Sequence, residues 1–309
     1  MRQGTDLARA SAIRLMDQAY QPSPAVNNPL QELMRHIGIG DEKVRSAVRH
    51  LHTTIKATVA LLFTELGKAP EKPASLEVAP CPELDSLYFQ AFGSWEWRDV
   101  AVQLQFTNQL RAAEFLQCLI SAFLLKKVFR KPLPWDHPTK SLETRNCLSR
   151  FITPLLATRG VDFAKILHEA SAAQLEDAEF RRDVLQREAG VLGNNMVLIL
   201  HEHLEQLTKS PAKRDWWVSM RKGLGDICEQ ALLLHGRLTA SPDKYACLWY
   251  THGTRYDRHT MSMEVEDGAP ESVVAFTALF GIHCWPVARG QEEFTPHQAV
   301  VVTLEDATG

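Results

Sequence analysis

Apolar residues recur at steps of three and four along 41–66 (DEKVRSAVRHLHTTIKATVALLFTEL), at Val44, Val48, Leu51, Ile55, Val59, Leu62 and Leu66. That spacing lays them on one stripe of an α-helix and predicts an amphipathic element packed on one side. Asp41, after Gly40, suits the N-cap. His50 and His52 lie on the same stretch. Two residues apart means a rotation of about 200°, so they cannot share a ligand and are expected at the rim or surface. Residues 97–129 read as one long or kinked helical region whose apolar residues spread around the whole cylinder from Phe115 to Phe129, the mark of a central helix. Three prolines in KPLPWDHP (131–138) end it. Ser141 is placed to cap a following helix, and 161–188, 191–209 and 211–238 continue the helical pattern, the last opened by Ser210-Pro211.

Beyond Ser241-Pro242 the period changes. YACLWY, SVVAFTALFGIHCW and QAVVVTL are short and rich in β-branched and aromatic residues, and THGTRYD, EDGAPE and PVARGQEEFTP separate them. Strand signals divided by turn signals predict a small antiparallel β element. The expected fold is therefore mainly α, a multi-helix bundle with a C-terminal antiparallel β element. Four segments follow: an N-terminal helical segment (1–66), a proline-rich linker or loop (67–84), a helical core (85–240) and a β-containing subdomain packed on the helices (241–309). No fixed internal period marks a repeat protein.

Composition narrows the function classes. The chain has 309 residues, 34 basic and 37 acidic side chains and a formal charge of −3. Residues 239–309 alone hold 4 basic and 10 acidic side chains, a field that repels a phosphate backbone and argues against nucleic-acid binding. The N-terminal stretch lacks the continuous apolar run of a secretory signal, and Phe115–Val128 is too short and too lysine-interrupted to span a bilayer. Six cysteines, with no CxxC pair, read as free thiols of a reducing compartment, cytoplasmic or nuclear.

No GxGxxG, GxxxxGK[ST] or GxSxG signature occurs, no acid cluster of the kind that holds magnesium is present, and no cofactor is implied. The best metal pair is His201 and Glu205, four apart on one helical face, with His203 pointing elsewhere and His168, Glu169 or His235 as outside ligands. The alternative is the polar end of an apolar helix. In WYTHGTRYDRHTM (249–261), His252, Asp257 and His259 share a loop and are the catalytic candidates, with a plain turn at Asp257 as the structural alternative. The pairs Trp95/Trp97 and Trp216/Trp217 are candidate ligand or partner contacts; Trp216 and Trp217, about 100° apart on a helix, should divide between core and boundary. Cys284 beside His283 sits in an apolar strand, where neighbours point to opposite faces.

The order of long helices, YDRHTM, a strand, a glycine turn and AVVV resembles, over residues 256–303, the helix-plus-β-wing layout of nucleotide-exchange co-chaperones. The resemblance implies a layout, and no activity is carried over with it. The sequence thus points to a soluble intracellular interaction or regulatory protein that uses helix surfaces and an acidic C-terminal element. Its partner would be a protein, or a second copy through an apolar helix face. The rival is a helical-bundle enzyme or small-ligand-binding protein with a pocket among the helices that takes an apolar ligand, with or without a metal.

Overall fold

A computed structural model of the chain describes residues 41–66, 80–94, 96–107, 109–131, 173–208, 214–241, 243–263, 272–286 and 292–304. Among these residues it is mainly helical, with six β-strands in its C-terminal part. Ser141, the 131–138 proline run beyond Lys131, residues 161–172 and the Ser210-Pro211 cap lie outside the described residues.

Helix α1 is Asp41–Leu66. Its stripe Val44, Val48, Leu51, Ile55, Val59 and Leu62 is at most 3% exposed. Helix α2, Pro82–Phe92, starts on a proline whose missing N–H has no partner to lose there, and Glu83 and Asp85 complement the dipole of its first turn. It therefore begins inside the stretch expected as linker. Gly93, at φ 70°, closes it with its N–H on the Phe89 carbonyl, 2.7 Å away. A side chain on Gly93 would also meet Thr251 within 2.5 Å.

The 97–129 region is two helices and not one. Helix α3, Trp97–Phe106, stops where the Thr107 hydroxyl bonds the Gln103 and Leu104 carbonyls and the N–H groups of Gln109 and Leu110 both turn back to Leu104. That local competition for backbone acceptors breaks the ladder. Helix α4, Ala112–Leu124, widens into a π turn over Leu125–Phe129. Leu116, Leu119, Ile120, Phe123 and Leu124 are fully buried, so apolarity on all sides does correspond to a helix covered on all sides.

Helix α5 runs from Ala178 through a π-turn segment, Arg181–Gln186, to Thr208; the Asp177 carboxylate caps it by accepting the Phe180 N–H at 2.7 Å. Helix α6 is Arg214–Ala240. The two lie antiparallel, with Gly193 against Gly225 at one level and His201 against Trp217 at another. A Cβ on Gly193 would stand 3.0 Å from the Gly225 backbone, so glycine there lets the two helix backbones approach closely.

The strands are β1 Lys244–Leu248, β2 Met261–Met263, β3 Val273–Leu279, β4 Gly281–Trp285, β5 Phe294–His297 and β6 Ala299–Leu304. The expectation of one antiparallel element needs correction. Among the described residues there are two three-stranded sheets, β1-β4-β5 and β2-β6-β3, and in the second β2 runs parallel to β6. More than thirty residues separate those two strands, enough chain for a crossover that a short hairpin loop forbids.

One long hairpin underlies both sheets. β3–β4 forms one arm and β5–β6 the other, with pairing from Val273↔Leu304 through Leu279↔Val300 and Ile282↔His297 to Cys284↔Phe294. The arms fold together at Phe280 and Gln298, so each half enters a different sheet, as strands do at the corner of an orthogonal packing. Gly281 sits at the fold, where a Cβ would come within 2.5 Å of the Ala299 nitrogen. The inner face of this hairpin joins the helical core: Phe276 packs edge-on to Phe92 and Phe115, and the buried Ser121 hydroxyl of α4 donates to the Ala278 carbonyl at 3.0 Å.

Candidate functional site

The residues singled out in the sequence are placed mostly in structural duty. Both carboxylate oxygens of Asp257 are engaged in its own turn, accepting from the His259 N–H at 3.0 Å and from the Thr260 hydroxyl at 2.9 Å. His259 is exposed, and half-buried His252 has Nδ1 3.3 Å from the Ala275 carbonyl, away from Asp257's turn contacts. Tyr250 is pinned instead by Thr277, whose hydroxyl both accepts the Tyr250 N–H and donates to its carbonyl.

His201 stacks flat on Trp217, with ring centroids 4.9 Å apart. The Glu205 side chain, like His168 and Glu169, lies outside the described residues. His235 is held by the Lys131 carbonyl, 2.7 Å away. Among the described residues, no three His, Cys, Asp or Glu side chains gather to hold a metal ion. Trp216 is buried and Trp217 half-buried, and they meet edge to face. Trp97 is a core residue: its Nε1 donates to Asp85 at 3.0 Å and its ring leans on Tyr88. Trp95 lies outside the described residues. Cys284 is buried while His283 faces Thr295 and Glu293, so the neighbours do point apart.

Two buried imidazole environments stand out. The first is His203 of α5, fully buried between Tyr88 and Phe115, with the Tyr88 hydroxyl 3.1 Å from its Nδ1. Burial alone pushes its pKa down to about 4, which keeps the ring neutral at pH 7.

The second is the contact of α1 with the folded hairpin. Steps of four, three and four place Arg45, Arg49, His52 and Lys56 along one side of α1. His52 is 5% exposed and lies 4.7 Å, centroid to centroid, from His297 at the end of β5. The Phe280 ring, at the fold of the hairpin, meets His52 edge-on at 5.5 Å. Arg45 reaches across the same contact and donates through Nε to the Pro296 carbonyl at 3.1 Å, while its guanidinium pairs with Glu42. The Nε2 atoms of His52 and His297 are both buried with no hydrogen-bond partner.

Electrostatics follow from this arrangement. His52 is pushed down to about 3, first by burial, then by the nearby His297 and Lys56, against a backbone hydrogen bond to Phe280 that raises it. His297 is lowered by burial and then by Arg49 and Arg45. Both shifts favour neutral rings.

No family model, no curated protein and no solved structure matches this chain. The β-wing resemblance over 256–303 therefore has no counterpart among these comparisons, and the mixed β2-β6-β3 sheet is the observed layout of that region.

His52 and His297 were not among the sequence candidates. The signal for His52 was present: Val48, His52, Ile55 and Val59 share one stripe, so a histidine occupies a core position and not the expected rim. His50, two residues earlier, is exposed as expected. His297 follows a proline inside what reads as a turn. β5 is an edge strand, where proline has no inner ladder bond to lose.

Proposed function

We propose that this is an interaction protein of the cell interior, a helical-bundle scaffold whose helix surfaces meet another protein. The observation that carries this reading is Phe106, 90% exposed at the end of α3, with Val102 one turn earlier and 62% exposed. Side chains four apart on a helix form one patch, and exposed aromatic surface such as Phe106 is enriched where proteins meet. Leu198 of α5 (68%) and Val218 of α6 (61%) add exposed apolar positions on other helices. Among the described residues no helix is long and apolar enough to cross a membrane, and the five described cysteines are free thiols, which supports a reducing compartment. The acidic excess of residues 239–309 supplies a second, charge-selective contact.

The test is a photo-crosslinking amino acid at position 106, with exposed position 239 as control, in cells and in the purified protein. A defined crosslinked protein at 106 that disappears with Val102→Asp supports the reading. A crosslink formed in the purified protein assigns the partner as a second copy. Equal labelling at 106 and 239 overturns it. Because Phe106 is solvent-exposed, Phe106→Asp should leave the unfolding free energy within about 0.5 kcal/mol of wild type.

A second reading, a small-ligand-binding protein, is favoured by the unpaired buried nitrogens of His52 and His297.

A further inference from the structure

Leu84, Leu87, Tyr88, Ala91 and Phe92 turn one side of α2 to the core, and Ser86 is left half-buried at the border of that side. Opposite it, α4 widens into its π turn, a kind of irregularity that recurs at functional sites. Lys126, the second residue of that turn, is half-buried as well, and its Nζ lies 2.6 Å from the Ser86 Oγ. A hydroxyl and an amine at hydrogen-bond distance are the two parts of a serine–lysine nucleophile, provided that the amine is neutral for part of the time. The surroundings push it that way. Burial lowers the Lys126 pKa first and the adjacent Lys127 next, while Glu83 works against them and Arg130 with them. Asp85, the other acid of α2, accepts from Trp97 and stands 4.0 Å from the Arg98 guanidinium.

We propose that Ser86 and Lys126 form a nucleophile and its base, which together hydrolyse small acyl esters. The neutral Lys126 amine takes the proton of the Ser86 hydroxyl as Oγ bonds the acyl carbonyl carbon. The carbonyl oxygen gains negative charge, which the cations Lys127 and Arg130 offset. The bond from the carbonyl carbon to the leaving oxygen then breaks, and the alcohol departs with the proton that Lys126 held. A water molecule, deprotonated by Lys126, attacks the acyl-serine, releases the carboxylic acid and restores the hydroxyl. Both residues are partly open to solvent, which lets a small acyl group reach the pair. The pair uses other side chains than the Phe106 surface of α3, so the failure of one reading leaves the other standing.

The test treats the full chain with a fluorophosphonate probe. Its P–F bond breaks as the Ser86 oxygen bonds phosphorus, the proton passes to Lys126 and fluoride leaves. Peptide mapping should find the label on Ser86. The labelling rate should climb with pH as Lys126 loses its proton, and level off with a midpoint below the ordinary lysine value of 10.5. Lys126→Arg keeps the charge but cannot serve as a base, and should slow labelling of Ser86 about a hundredfold. Lys126→Gln, with no charge to bury, should do the same, and serves where the arginine variant has a lowered unfolding temperature. Turnover of p-nitrophenyl acetate should fall to the level of free solution in Ser86→Ala. A label absent from Ser86, a rate flat with pH, or labelling indifferent to both Lys126 variants overturns the proposal. Ester turnover that survives Ser86→Ala unchanged overturns it too, because surface amines would then account for the hydrolysis.

Discussion

Two buried histidines, 151 residues apart in the chain, hold the same kind of ring in opposite surroundings. His203 lies in an aromatic interior, between Tyr88 and Phe115, with Nδ1 bonded, Nε2 buried without a partner, and burial alone lowering its pKa. His52 lies in a contact shared with cations and a second imidazole, with its Nε2 unpaired. Desolvation lowers both, so burial by itself does not tell the two environments apart. The distinction lies in the neighbours: apolar rings at one position, a second imidazole and nearby cations at the other.

The largest effect should separate the two regions by packing. Phe115 touches Tyr88, Phe92, His203 and Phe276, so Phe115→Ala should lower the unfolding free energy by about 3–5 kcal/mol. His297→Ala, at a half-buried edge position, should fall clearly below that range in the same urea titration. Equal losses would mean that the α1–β5 contact is as much core as the helical interior.

Acid should weaken both regions. The folded pKa values, about 4 for His203 and about 3 for His52, lie below the value near 6.5 of an unfolded histidine. The unfolded chain then binds more protons in between, so the stabilisation is complete above about pH 6.5 and is lost as pH falls towards the folded values. At pH 5 each ring should account for about 2 kcal/mol of loss in urea titrations. A Tyr88→Phe, His203→Phe double variant, which removes the core ring and its partner together, should lose about that share of the acid sensitivity and keep the share of His52. Unchanged acid sensitivity in the double variant would show that the core ring takes up no proton on unfolding.

The smallest effect concerns the helical interior alone. Gly193→Ala pushes a methyl group to within 3.0 Å of the Gly225 backbone and should cost about 1–3 kcal/mol, whereas Gly225→Ala meets nothing within 4 Å and should gain about 0.5–1 kcal/mol. Matching thermal shifts for the two variants would show that α5 and α6 can separate freely and that the interior is less tightly fixed than the contact geometry implies.

Much of the helical body was legible because its signals are local. The stripe on α1 and the all-round apolarity of α4 are properties of short windows, and both correspond to buried surfaces. What stayed hidden depends on partners far away in the chain. Gly223 and Gly225 look like flaws in a helix until Thr58 is found 2.8 Å from the Cβ position of Gly223 and Gly193 beside Gly225. The break at Thr107 is local but just as hidden, because one hydroxyl reaches two carbonyls while the Gln109 and Leu110 N–H groups turn back to Leu104. The apolar run 272–285 reads as one strand, and only the close approach of Gly281 to Ala299 shows why it bends into two sheets. The buried histidines were hidden for the same reason. Chemistry-rich stretches such as WYTHGTRYDRHTM attract attention, yet Asp257 serves its own turn. Two of the unpaired buried nitrogens belong to a histidine hidden in an apolar stripe and another behind a proline.

The folded hairpin has a consequence for how this part of the molecule comes undone. Each of its arms is a single stretch of chain that supplies one strand to either sheet, so peeling one sheet drags on the other. Amide protons of Ile282 and of Val301, in different sheets, should therefore exchange with deuterium through the same opening event. Any force or mutation that loosens β6 would be felt at β4, and through the ring of Phe280 it would reach His52, which makes the crease a mechanical relay between the outer strand pair and the first helix.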